Sequence, residues 1–169
     1  AYRVELDRAL NEAHDDTEVE MNVLREMHHA QLFRLLVQDL AGLHSLERIS
    51  DFLSELADII LDRTIKRVWE KLPKRHTDTP HFAVIGYGKL GGKELGYGSD
   101  LDVVYLYDDP DQDAAQTYAR LGQRLNTWLS SQTSSGIVYE IDTRLRPNGE
   151  SGMLAISLDG FRDYEEKSA

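Results

Sequence analysis

Residues Val84 to Tyr107 read VIGYGKLGGKELGYGSDLDVVYLY, and the fold turns on how this stretch is read. It holds a short apolar run, a glycine-rich turn, and then Asp100 and Asp102 at the head of a second apolar run. Side chains alternate across a strand, so a strand over Leu101 to Tyr107 projects both carboxylates from one side of its start. Two acids this close repel one another unless a cation lies between them, and hard divalent ions such as Mg²⁺ take oxygen ligands. Glycines upstream let backbone amides approach a phosphate closely. A phosphate cradle followed by a carboxylate pair points to chemistry on a nucleoside triphosphate.

Two familiar glycine motifs do not fit. Gly86, Gly88 and Gly91 satisfy G-x-G-x-x-G, but that dinucleotide pattern opens a helix and places an acid about 20 residues on. Here the next strand begins within about ten residues, too soon for a crossover helix. Gly86 and Gly91 also have the spacing of P-loop glycines. Gly92, however, stands where lysine is required, and Lys93 is followed by Glu94 rather than by Ser or Thr.

A third pattern fits: Tyr87-Gly88-Lys89, ten intervening residues, then Asp100-Leu101-Asp102. A further acid is sought in GIVYEIDTRLRP, where Glu140 and Asp142 alternate onto one face of a strand. The arrangement resembles the nucleotidyltransferase superfamily of DNA polymerase β-like enzymes, although Lys89 stands where that signature has a small residue. The longer strings GYGKLGGKELGYGSDLD and YEIDTRLRPNGESGML resemble one family within it, the adenylyltransferases that modify bacterial glutamine synthetase. The resemblance spans nearly the whole chain, including HHAQLFRLLVQDL and ISDFLSELADIILDRTI.

The resemblance implies an α/β (α+β) fold, a nucleotidyltransferase domain with a mixed sheet behind an α-helical segment. It implies transfer of AMP from ATP to a tyrosine hydroxyl of glutamine synthetase, with Mg²⁺ as cofactor in a two-ion site. Asp100, Asp102 and Asp142 would be the catalytic metal ligands, with Glu140 as the alternative third acid. Gly86, Gly88, Lys89, Gly91, Gly92, Ser99, Arg144 and Arg146 would hold the nucleotide. For Arg144 and Arg146 a salt bridge to the nearby acids is an equal reading, and Lys89 and Lys93 also suit an ordinary surface. Family members carry one half that adds AMP and one that removes it by phosphorolysis; GYGSDLD and IDTRLRPNG look more like the adding half. The chain would then be a fragment of a larger enzyme, with a nitrogen-signalling regulatory protein as a further partner. The AMP-removing half and a nucleotide-binding regulatory module without turnover stay open.

Composition is consistent with this. The 169 residues suffice for one domain with a helical appendage. A formal net charge of −11 argues against nucleic acid as a partner, because such binding draws on Lys and Arg at phosphates. There are no cysteines, which excludes thiolate metal sites and agrees with a reducing, cytoplasmic setting. No apolar run reaches the roughly 20 residues that span a bilayer, and no secretion signal is read at the start.

The chain divides into a helical segment, 1–75, and a catalytic core, 76–169. Residues 1–16 are polar and acidic and suggest no element. Thr17 and Glu20 have capping-box form, and Val19, Val23, Met27, Ala30, Phe33, Val37 and Leu40 follow as one helical stripe. Leu32, Leu35 and Leu36 widen it, so the second half of that helix should be buried nearly all round. Gly42 is a stop. A second helix should run from near Ser45 or Ser50 to about Lys71 with Ile49, Phe52, Leu53, Leu56 and Ile60 inward, and Pro73 opens a linker. Adjacent His28 and His29 cannot share a helix face as metal ligands. Strands are expected over Phe82–Ile85, Leu101–Tyr107 and 137–145, with Met153 to Ile156 extending the sheet. A helix should run from Ala114 to about Ser130 despite Gly122. DDPDQD reads as a solvated turn, and Ser157 as the cap of a last helix.

Overall fold

The sheet is built around strand β2, Leu101–Tyr107, in a computed structural model that describes residues 1–168. Leu101, Val103, Val104 and Tyr105 are fully buried, as a strand covered on both faces requires. One edge of β2 pairs antiparallel with β1, Phe82–Gly86. The other edge is shared between two short strands. β3, Ile141–Asp142, runs parallel beside Leu101 and Asp102, and β4, Ala155–Ser157, runs parallel beside Tyr105 to Tyr107. Parallel neighbours need a crossover, and helix α5, Ala114–Ser130, supplies it. Its buried Tyr118, Leu121, Leu125 and Leu129 face the sheet and helix α3, Leu46–Lys71. Gly122 lies where α5 approaches the sheet most closely: a Cβ there would come within 2.9 Å of the Tyr105 ring. The mixed sheet with helices packed on it agrees with the expected α/β class.

The third strand is much shorter than its sequence pattern. The amides of Val138 and Tyr139 donate to the Leu129 carbonyl at the end of α5 rather than to a neighbouring strand. After Asp142 the backbone turns back, because the Arg144 amide donates to the Asp142 carboxylate at 2.9 Å. Only two residues are left to pair with β2. The last helix, α6, spans Leu158–Ser168, and the Ser157 hydroxyl accepts the Gly160 amide at 3.1 Å, as a cap should.

The helical segment departs further from expectation. Residues Tyr2–Glu12 form a helix, α1, that the polar composition hid; its Leu6 and Leu10, one turn apart, are fully buried. The next helix, α2, spans Thr17–Leu40, and its cap is Asp16, which accepts the Val19 amide at 3.1 Å. Glu20 does not close a capping box. Its carboxylate is fully buried, 3.0 Å from Lys71 Nζ and beside Arg67 on α3.

The proposed apolar stripe of α2 lies largely in solvent. Phe33 is 68% and Leu40 81% exposed, and Val19 and Val37 are also exposed. The inward face is Glu20, Leu24, Arg25, His28 and Leu35. Glu20 and Arg25 win the inward face because each meets a partner that only that face offers, whereas His28 packs its ring on Tyr139 with neither nitrogen hydrogen-bonded. Arg25, fully buried, donates to the carbonyls of Ser131 and Gly136 at 2.6 and 2.7 Å and to Met21 at 2.9 Å. Gly42, at φ +70°, ends α2 as expected, and Ser45 caps α3. Ile49, Leu53, Leu56 and Ile60 are buried on α3, whereas Phe52 is exposed.

DDPDQD is not simply solvated. The Asp109 carboxylate is almost fully buried and accepts hydrogen bonds from the Tyr118 hydroxyl and the His76 ring, each at 2.7 Å. Burial pushes this carboxyl up, but the bonds from Tyr118, the Asp111 amide and His76 outweigh it and hold the pKa at about 2. The Tyr118 hydroxyl also accepts the His81 amide at 3.0 Å, and its ring stacks on Trp69 at 5.6 Å between centroids. This cluster fastens the 72–81 connection to α5. Tyr118→Phe keeps the stack and removes both hydroxyl bonds. It should cost about 2 kcal/mol, the penalty for stranding buried polar partners. A thermal melt should show a midpoint lower by roughly 4–8 °C; an unchanged melt would mean that the stack alone secures the connection.

Candidate active site

Asp102 and Asp142 meet because they are register partners, Asp102 on β2 and Asp142 on β3. Parallel in-register strands place like positions side by side on one face. Asp100, just before β2, joins them. One oxygen from each of the three carboxylates lies within 4.8 Å of the other two. Asp100 is exposed and the other two are half-buried.

The glycine turn closes one side of this group. Gly88 opens a single helical turn, α4, Gly88–Gly91, at φ +52°. A Cβ on Gly88 would stand 2.6 Å from Asp102 Oδ2, so only glycine leaves room for the carboxylate. The Tyr87 amide donates to the Asp102 carbonyl at 2.8 Å and ties the turn to β2. Within the turn, the Gly91 and Gly92 amides donate to the carbonyls of Tyr87 and Gly88, so both are already engaged. The Ser99 hydroxyl accepts the Gly96 amide at 2.9 Å and ends the turn. Lys89 lies close enough to Asp102 to stabilise its charged form.

The two half-buried acids are tuned in opposite directions. Burial raises the Asp102 carboxyl, the charges of Asp100 and Asp142 raise it further, and Arg144 and Lys89 offset part of this. Asp142 is held at about 2, chiefly by hydrogen bonds from the Arg144 side chain and amide. Nε of Arg144 lies 3.0 Å from Oδ1 and 2.9 Å from Oδ2 of Asp142, and its terminal nitrogen also contacts Oδ2. Arg146 behaves differently. It donates to the carbonyls of Thr143, Glu150 and Gly152 and so binds the 143–152 loop to itself. Glu140 is exposed on the wall of the same hollow and does not join the trio; its carbonyl accepts the Leu101 amide.

That hollow, about 490 Å³, is lined by Asp100, Asp142, Arg144, Arg146, Glu140 and Glu150 among others. A larger one, about 590 Å³, lies between α1, α2 and α3, and among the described residues the only acid on its wall is Glu55. Of the two, only the first brings carboxylates together. The three acids suit a hard divalent cation: they are all-oxygen donors, mutually repelling without one, and open to solvent on one side. Neither His28 nor His29 is near them in a ligand set. His28 is buried against Tyr139, and burial together with the neighbouring His29 pushes its pKa down to about 4.

One contributor to this geometry carried no sequence signal. Ser130, the last residue of α5, touches the backbone on both sides of Glu140. A serine at the end of an amphipathic helix reads as a solvent-facing terminus, so nothing in periodicity marks it.

Comparison with known proteins gives a consistent result. The family described as Glutamate-ammonia ligase adenylyltransferase matches residues 1–169. A protein of Aromatoleum aromaticum named bifunctional glutamine synthetase adenylyltransferase/adenylyl-removing enzyme is 56% identical over 169 residues. Proteins with the same name from Chromobacterium violaceum and Neisseria meningitidis serogroup B are 54% and 58% identical over 165 and 154 residues. These alignments cover 100%, 98% and 91% of this chain but only 18%, 18% and 17% of the relatives, so the chain spans under a fifth of their length.

The Asp142–Arg144 pair sets a pH signature. A carboxyl held at about 2 in the folded chain, against about 3.9 unfolded, adds stability that is complete above the unfolded value. That stability is lost as pH falls from about 4 toward 2. Arg144→Ala should bring the Asp142 pKa back toward about 3.9 in a carboxyl NMR titration. Unfolding stability should then fall less steeply between pH 4 and 2 than in the unsubstituted chain. An Asp142 titration that stayed at about 2 would show that Arg144 is not what holds it.

Proposed function

The chain belongs to the glutamate-ammonia ligase adenylyltransferase family, and we propose that it is the AMP-adding catalytic part of a longer enzyme acting on glutamine synthetase. The observation that supports AMP transfer is the convergence of Asp100, Asp102 and Asp142 beside the glycine turn in a chain of that family, and the adding direction rests on the resemblance of GYGSDLD and IDTRLRPNG. The substrate would be ATP, and the acceptor a tyrosine hydroxyl of glutamine synthetase. The tyrosine oxygen would bond to the α-phosphorus as the bond to pyrophosphate breaks, and the hydroxyl proton would leave to solvent or a nearby carboxylate. Mg²⁺ held by the three acids would supply positive charge for the reacting oxygens and lower the hydroxyl's pKa from near 10.

The chain's own residues have definable parts in this reading. Asp100 and Asp102 present oxygens from one side of β2, and Asp142 completes the donor set. While Arg144 stays on it, Asp142 is a weak proton acceptor, because a base works best with a pKa near the operating pH. Its part is as a ligand. Lys89, Ser99 and the turn from Gly86 to Gly92 would receive the triphosphate tail in this reading. Because the Gly91 and Gly92 amides are engaged within the turn and Arg144 on Asp142, Lys89 is the cation better placed to hold phosphate charge. Arg146 would act through the loop that it organises. The helical segment 1–75 braces the core 76–169. A nitrogen-signalling protein as regulator, and a cytoplasmic setting, belong to the same reading; no helix of the described residues is long and apolar enough to cross a membrane.

The test is to incubate the chain with glutamine synthetase, Mg²⁺ and ATP labelled in the α-phosphate. Label should appear on glutamine synthetase, and EDTA should prevent it. Asp100→Asn and Asp102→Asn should each abolish labelling, a loss beyond the roughly 100-fold that disturbing outer partners of a metal site costs. The fold, followed by circular dichroism, should be retained. Labelling at near wild-type rate in either variant would remove the carboxylates from the reaction. Release of ADP from AMP-modified glutamine synthetase on adding phosphate, without labelling from ATP, would instead assign the removing activity.

A further inference from the structure

β3 is only Ile141–Asp142, and a two-residue ladder is a weak hold on a carboxylate that must sit within a fraction of an ångström of its place. The bonds that position Asp142 therefore lie mostly outside the sheet. The Leu129 carbonyl, at the end of α5, accepts the Val138 and Tyr139 amides at 3.0 and 3.1 Å. Leu101, at the start of β2, donates its amide to Glu140 at 2.9 Å. The remaining tie is a side chain. Ser130 Oγ donates to the Tyr139 carbonyl at 2.9 Å and accepts the Ile141 amide at 3.2 Å. One hydroxyl thus bridges the peptide groups on either side of Glu140, ending one residue before Asp142.

We propose that Ser130 is a positioning residue for Asp142, fixing the backbone of 139–141 so that the third carboxylate meets Asp100 and Asp102. The inference rests on the reading of those three acids as a cation site. A hydroxyl suits the task because it donates and accepts through one oxygen. Threonine keeps this ability and alanine loses it. Alanine would leave a carbonyl and an amide without partners at a half-buried position, and the segment would shift to find others. Displacements of about 1 Å at a reacting centre can cost on the order of 100-fold in rate, and a three-ligand cation site shares that geometric demand.

The readout is Mn²⁺ affinity of the 169-residue chain, followed by the electron paramagnetic resonance signal of the free ion. Ser130→Ala should weaken binding by about tenfold or more, and Ser130→Thr should stay within about threefold of the unsubstituted chain. Thr64→Val is the control. It removes a buried hydroxyl bond to the Ile60 carbonyl on α3, away from the site, and should lower the melting temperature without changing Mn²⁺ affinity. If Ser130→Ala does not fold, Ser130→Cys, whose thiol is a weaker donor and acceptor, carries the same expectation. Suppose the unsubstituted chain binds Mn²⁺, Asp100→Asn abolishes binding, and Ser130→Ala binds normally. The positioning role is then overturned while the cation site stands. If the unsubstituted chain does not bind Mn²⁺, or Asp100→Asn binds equally, the cation reading falls and takes this inference with it.

Discussion

Mutual repulsion among Asp100, Asp102 and Asp142 is the constraint on which the architecture around them depends. Carboxylates with oxygens within 4.8 Å of one another destabilise the fold unless something holds them and something neutralises them. The holding is done mainly by backbone, with Ser130 and Arg144 adding side-chain ties near Asp142. β2 is buried at Leu101 and from Val103 to Leu106, β1 and the two short parallel strands fix its edges, and the Gly88 turn packs directly on Asp102. The neutralising is partial within the chain itself, through Arg144 on Asp142 and Lys89 near Asp102. An arrangement that keeps one acid strongly ionised and another poised higher is typical of sites where charge is used rather than merely tolerated.

The sheet half was legible because its signals are local. Leu101–Tyr107 is an apolar run bounded by turn residues, and its strand limits fall where the pattern puts them. Helix α5 carries a clean 3.6-residue stripe, and it too begins and ends at Ala114 and Ser130. Asp100 and Asp102 stand out because alternation in a strand is a strict rule, whereas Glu140 and Asp142 alternate onto the same face and only the family resemblance favours Asp142. Residues 137–145 show where such a rule stops. Their alternation is real, but Val138 and Tyr139 spend their amides on the end of α5 and Arg144 folds back on Asp142, so only two residues pair. Those partners are distant in sequence or sit in side chains, and neither appears in a local pattern.

The helical half was less legible for a different reason. Its inward face is partly polar, and periodicity alone assigns polar residues outward. Glu20 is buried because Lys71 and Arg67 face it from α3, and Arg25 because three carbonyls receive it. With those residues inward, Phe33, Val37 and Leu40 are left facing out. A buried ion pair with each charge met by a partner is compatible with stability, and it fixes which face turns in. The same reasoning explains why α1 was missed: two leucines one turn apart, in a polar stretch, are a faint stripe but enough to seat a helix of eleven residues.

Arg25 has one more consequence, for modularity. Its side chain starts on α2 and ends on the carbonyls of Ser131 and Gly136, more than 100 positions away along the chain. Those carbonyls belong to the loop that delivers the segment ending at Asp142. The connection between α3 and β1 is therefore bridged by hydrogen bonds that reach across it from α2. Severing the chain there would leave the loop's carbonyls facing a vacated groove, and the third acid would lose the outermost anchor of its approach.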